Sequence, residues 1–264
     1  LKTTALAAAL LLLPAPGAAQ THPGQPQPPQ QQPQLFDVAG QCMACHNGII
    51  SPDGLDISFG TSWRPSMMAN AARDPYWQAA VKRETMDHPS AAAAIQDECS
   101  KCHMPMARFQ AHAAGETFES FGKLPWQPGQ GVNPRMLALA RDGGSCTMCH
   151  QIQAEGLGTE ETFVGEFHVD TETPMGERPV YGPYDVPDGA SRAMLSSGRF
   201  VPTRSEHVRE SGLCASCHTL FTHARNDAGE VVGELPEQVP FLEWMHSDYR
   251  DEQSCQSCHM PVVE

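Results

Sequence analysis

The chain has 264 residues, with 31 Asp and Glu against 17 Lys and Arg, and a formal net charge of −14. That balance repels a polyphosphate backbone and excludes nucleic acid as a partner. It either serves solubility alone or suits a partner protein with a basic docking patch.

The N-terminus reads as an export signal. Lys2 is a minimal basic region and Ala5 to Leu13 an apolar run too short to span a bilayer, followed by small residues at Gly17-Ala18-Ala19. Residues 1–19 are therefore expected to be a signal peptide. No cysteine follows that cleavage site, so no lipid anchor is expected. Residues 20–34 form a Pro/Gln-rich linker with nothing to bury, and His22 within it reads as solvated. The folded domain is expected over 35–264, in the periplasm or outside the cell.

From there the chain carries five copies of Cys-x-x-Cys-His, which use all ten of its cysteines. They are Cys42/Cys45/His46, Cys99/Cys102/His103, Cys146/Cys149/His150, Cys214/Cys217/His218 and Cys255/Cys258/His259. Helices are expected to lead into the later copies. Asp74-Pro75 opens one through about Met86, and Ser90 caps another that runs into Cys99 and Cys102. Asn133-Pro134 opens a short one ended by Gly143-Gly144. Ser205 to Ser211 leads into the fourth copy, and Pro240 starts one over 241–249 before the fifth. Met104-Pro105 and Met260-Pro261 follow two of the motifs, and proline there ends the motif helix. Strands are expected at Phe163 to Val169 and in a hairpin around Asn226 to Val232. The fold class is mainly α and loop-rich, with little β, and the 151–200 stretch is expected to be irregular and partly β.

The repeated motif is the signature of covalent haem c attachment. Two thiols add to the vinyl groups of one porphyrin, and the adjacent histidine (His46, His103, His150, His218 or His259) supplies the proximal imidazole. A disulfide framework or zinc knuckles would not call for a histidine after every pair. Five haems on roughly 230 residues leave too little polypeptide for a conventional core, so the porphyrins themselves must fill much of the interior. The chain opens on Leu1 and runs five residues past His259. A motif so near the end is poorly covered, and a longer protein continuing beyond Glu264 is one reading.

Distal ligands are sought among the remaining histidines and the methionines. His88 is held out of helix by Pro89. His207 lies two helical turns before Cys214 and so shares its face. His112 and His246 complete the candidate set. Outside it stand His168 and His223, the latter only five residues past His218. For each, the alternative is an ordinary surface or core histidine. Met68 is a candidate sulfur ligand, which would raise the potential of its iron.

Ser66-Met67-Met68-Ala69 followed by Asp74-Pro75-Tyr76-Trp77 resembles a segment of the multihaem cytochromes related to cytochrome c-554 and hydroxylamine oxidoreductase. Those proteins often carry Ser-x-His-Ala there, with the histidine a distal haem ligand, and Met68 at that position implies a His/Met haem or an altered site. It covers roughly residues 40–110 and implies closely packed haems in rapid electronic contact.

The expected function is electron transfer along five covalently bound haems between redox partner proteins. The alternatives are a redox enzyme acting on a small nitrogen or sulfur compound at one open haem, or a subunit of a haem wire. No motif replaces its histidine by lysine, as pentahaem nitrite reductases do. Tyr181, Tyr184 and Tyr249 are formal candidates for a haem cross-link, with packing as the plainer reading.

Overall fold

The computed structural model describes residues 34–123 and 133–262. The expected signal peptide and all but the last residue of the linker, together with residues 124–132 and 263–264, lie outside them. The chain divides at Gln32–Pro33, and the unit from Pro33 onward holds every element below.

Short helices dominate, as the helix-start signals in the sequence led one to expect. The first half comprises α1 (Ala39–Met43), α2 (Phe59–Trp63), α3 (Met67–Asn70), α4 (Pro75–Asp87), α5 (Ala92–His103), α6 (Pro105–Ala113), α7 (Pro134–Arg141) and α8 (Cys146–Cys149). There follow β1 (Pro179–Gly182), α9 (Asp188–Gly198), β2 (Val201–Arg204), α10 (Ser211–Ala215), β3 (Leu220–Arg225), β4 (Val231–Gln238), α11 (Pro240–Met245) and α12 (Cys255–His259).

Local chemistry explains most boundaries. Asp74 accepts from the Tyr76 amide at the start of α4, and Asn133 does the same for Arg135 at the start of α7. Pro75 and Pro134 each occupy the first helical position, where a missing N–H costs nothing. Met104 leaves the helical region after α5, and Met260 after α12. Pro105 both stops α5 and starts α6.

Four expectations are corrected. Ser90 does not cap α5: a 3₁₀ turn over Pro89–Ala91 intervenes, and the Ser90 hydroxyl donates to the Asp227 carbonyl instead. The expected strand at Phe163 to Val169 does not form. Val164 and Gly165 both take positive φ, and their amides bond to Thr219 and Ser216 at the end of the fourth motif. His207 sits in a 3₁₀ turn (Glu206–Arg209), and extended Glu210 separates it from α10, so it shares no continuous helix with Cys214. The helix before the fifth motif stops at Met245 and is followed by a 3₁₀ turn at Asp248–Asp251. Helix α9 was not foreseen. It joins parallel β1 and β2 as a small crossover unit, the β part of the stretch expected to be irregular and partly β. The hairpin is present and longer than expected, with β3 antiparallel to β4 and the Asn226 side chain accepting from the Ala228 and Glu230 amides in its turn.

The principal core gathers Trp77 and Val81 of α4, residues of α6 and α7, Met148 of α8, and the incoming segment Leu35-Phe36. A second, smaller cluster of Phe163, Ala215 and Phe241 lies under the fourth motif. Leu35 and Phe36 are fully buried, and the extended strap they open is fastened by side chains. Gln110 accepts from the Leu35 amide, Gln151 donates to the Leu35 carbonyl, and Arg135 donates to the Phe36 carbonyl. Thr147 bonds both backbone groups of Asp37, and Asp142 accepts from the Ala39 amide. Further along, Arg178 is buried and donates to the Asp170 and Thr173 carbonyls and to Gln151. The Asp170–Thr173 loop is thus held by a guanidinium at the start of β1.

Phe36 packs edge-on against Phe109, with ring centroids 5.8 Å apart. Phe36→Ala is expected to lower unfolding free energy by about 3–5 kcal/mol, measurable by urea denaturation of the mature protein.

Candidate functional site

Each Cys-x-x-Cys-His is a single helical turn. The amides of His46, His150 and His218 bond the carbonyl of the first cysteine of their motif at 3.0, 3.0 and 2.9 Å. The second motif ends α5, and the fifth makes up the whole of α12. Residues i, i+3 and i+4 of a helix share a face, so each turn presents two sulfurs and one imidazole together. None of the ten cysteines is in a disulfide. Among the described residues no group of three or more His, Cys, Asp or Glu converges on a bare metal ion.

The motif histidines are suited to ligate iron. His103 Nδ1 lies 2.9 Å from the Ala71 carbonyl, and His150 Nδ1 contacts the Tyr181 carbonyl. A carbonyl only accepts, so Nδ1 carries the proton and the lone pair is left on Nε2, the arrangement of metal-bound imidazoles. Burial lowers the pKa of His46, His103 and His218, with His150 adding to the effect at His46 and His259 at His218. Neutral imidazole is the form that binds metal. This donor set fits haem c.

Motifs far apart in sequence meet in space. The Cys42 thiol lies close to that of Cys146, and their interaction pushes Cys42 up and brings Cys146 down to about 7. Cys217 lies close to Cys102, which raises Cys217 and lowers Cys102, and Cys214 lies close to Cys255. Helix α1 packs on α8, and α10 on α12. The first motif therefore lies against the third, the second against the fourth, and the fourth against the fifth. Cys149 lies near Cys214 and Cys217, linking the third motif to the fourth.

The ten cysteines differ in exposure, and Cys45 and Cys258 stand apart. Both are exposed, whereas the other eight are half-buried. Cys45 lies past the end of α1, in the turn that leads out to Gly48, and its amide bonds only back to the Cys42 carbonyl of its own motif. Cys258 sits on α12, which buries no residue, and its thiol donates to the Gln253 side chain at 3.1 Å. In both motifs it is the first cysteine, Cys42 or Cys255, that faces a neighbouring motif, and the second points to the rim.

Comparison with protein-family models, characterised proteins and solved structures finds no match to this chain.

The other candidate ligands differ in their surroundings. His88 ends α4 half-buried, and its Nδ1 is buried without a hydrogen-bond partner. His246 donates from Nδ1 to the Leu242 carbonyl at 2.7 Å, which leaves its Nε2 lone pair available. His112 bonds Asp97 through Nε2 at 2.7 Å, and that carboxylate is shared with Arg108. His207 is buried with both nitrogens engaged, Nδ1 by the Ser205 hydroxyl and Nε2 by the Ile152 carbonyl. His168 is exposed, 3.7 Å from Glu161. His223, set aside in the sequence reading, bonds Glu98 at 2.8 Å through Nδ1, tying β3 to the residue just before Cys99. The signal for that contact was the acidic residue beside the motif, but only the hairpin's return brings histidine to it. Met68 is partly exposed, and its backbone carbonyl accepts from Gly144, at the entrance to the third motif.

That last contact requires Gly143. Its φ is +63°, and an added Cβ would collide with the Met68 carbonyl. Gly143→Ala is expected to destabilise the protein by about 1–3 kcal/mol, seen as a lower unfolding midpoint in thermal denaturation.

Proposed function

We propose that this chain is an exported, five-haem cytochrome c that passes electrons between redox partner proteins. The observation that carries the reading is the thiol-to-thiol meeting of motifs that lie 41 to 115 residues apart (1 with 3, 2 with 4, 4 with 5). Haems held at these turns would be carried by neighbouring stretches of chain, and each would supply the one-electron chemistry of iron. The chain's own contribution is to hold the turns in register. Burial favours the neutral imidazole at His46, His103 and His218, and backbone carbonyls orient His103 and His150. Exposed Cys45 and Cys258 leave one edge of the first and fifth attachment sites toward solvent, where a partner protein can approach. The acidic surface is suited to a partner with a basic patch. Among the described residues no helix is long and apolar enough to cross a membrane. Kinship with the cytochrome c-554 and hydroxylamine oxidoreductase group belongs to this same proposal and rests on the Ser66–Trp77 segment.

A second reading, a redox enzyme with one open haem, draws support from His207 and His112. In their present hydrogen bonds neither offers Nε2 to a metal.

Intact mass of the exported protein is expected to show five haem additions, and C99A/C102A one fewer. A wild-type chain without haem would overturn the proposal. In EPR of the oxidised protein, low-spin signals unmoved by nitrite or cyanide support the carrier, and a high-spin signal that shifts supports the enzyme. Separately, Met68→Ala is expected to abolish a far-red sulfur–iron absorption band if Met68 ligates iron. An unchanged spectrum removes it from the ligand set.

A further inference from the structure

Two contacts converge on His103, and both come from one short stretch of chain. The Ala71 carbonyl accepts from Nδ1 at 2.9 Å. The Trp77 indole lies flat on the imidazole, with ring centroids 4.4 Å apart and planes within 4°. Trp77 is 8% exposed and belongs to the principal core. The backbone that carries both contacts is itself fastened. Asp74 caps α4 through the Tyr76 amide at 2.9 Å, and the Gln78 side chain donates to the Ala72 carbonyl at 2.8 Å. Among the described residues no other motif histidine has both supports. His150 has the carbonyl without a stacked ring. His46 has a ring, Phe59, at 5.5 Å and 22°, and Phe59 is 60% exposed.

We infer that Trp77 is a positioning residue for the second motif, fixing the plane of its axial imidazole and shielding the His103–Ala71 hydrogen bond from water. The inference rests on the haem reading above. A flat indole in contact with one face of the imidazole restricts rotation about the Cβ–Cγ bond. Donation from Nδ1 to a carbonyl raises the basicity of the ring, and hydrogen bonding of this kind is one of the protein's levers on iron potential. A more basic ligand favours ferric iron. Without the indole, water competes for the Ala71 carbonyl, the ring becomes less basic, and the potential rises. Trp77 Nε1 is buried without a hydrogen-bond partner, so the indole acts here through its face and not through its N–H. Phenylalanine keeps a flat ring and removes the unpartnered N–H, whereas leucine fills space without stacking.

The test uses the exported, haem-loaded protein as wild type, W77L, W77F and C99A/C102A. Intact mass counts the haems, and the component missing from C99A/C102A in EPR and reductive titration is that of motif 2. In W77L that component is expected to take new g-values and a higher midpoint while the other four stay in place, and W77F is expected to retain the wild-type signature. Should W77L not load all five haems, Trp77→Met, flexible enough to fill the space, takes its place. A motif-2 component unmoved in the aliphatic variant overturns the inference alone, as does W77F moving as far as W77L. A wild-type protein without haem at motif 2 overturns the haem reading as well.

Discussion

One backbone hydrogen bond, from the amide of each motif histidine to the carbonyl of the cysteine four residues earlier, sets the geometry on which everything else depends. It closes a single helical turn and puts two sulfurs and one imidazole on the same side. A turn of four or five residues is not stable in isolation, because nucleation fixes several dihedrals for one hydrogen bond. The remainder of the chain therefore has to hold the turns in place, and its organisation follows from that need.

The support is of two kinds. Around the first three motifs there is a true apolar core, formed by α4, α6, α7 and α8 with Leu35 and Phe36. Where the core is thin, side chains bond directly to backbone. Gln110, Gln151, Arg135, Thr147 and Asp142 all fasten the strap from Leu35 to Ala39, which delivers the first motif to the third. Arg178 does the same for the loop after the third motif. A buried guanidinium is tolerated there because carbonyls and Gln151 satisfy its donors, although burial still lowers its pKa. Near the fourth and fifth motifs the apolar cluster is small, and α12 has no buried residue at all. The fifth motif, with Cys258 exposed, is accordingly the most peripheral, and on the electron-transfer reading it is the natural place for a partner to approach.

Much of the local structure was legible in the sequence. Asp74-Pro75, Asn133-Pro134 and Pro105 act through the chain next to them, so α4, α7 and the break between α5 and α6 fall where expected. The errors lie where distant partners decide. Phe163 to Val169 has strand composition, yet its amides are taken by Ser216 and Thr219, and positive φ at Val164 and Gly165 bends it away from extension. Ser90 is a natural cap, yet its hydroxyl is drawn to Asp227 in the hairpin turn. His207 was placed on a helical face by counting residues, and an extended Glu210 makes that count irrelevant. Cys45 and Cys258 share the motif of the other eight cysteines, and only the fold shows that they reach the surface.

The sequence by itself determined the chemistry: ten cysteines in five pairs, each followed by histidine, fix which atoms stand together because the spacing is about one helical turn. It also determined the acidic surface and the predominance of helix. Tertiary structure alone decided which motif meets which, since contacts such as Cys42 with Cys146 depend on how the strap and loops are fastened across more than a hundred residues. It likewise decided what surrounds each imidazole. Nothing local ties Trp77 and Ala71 to His103, and the three meet only because α4 and α5 pack together through the apolar core.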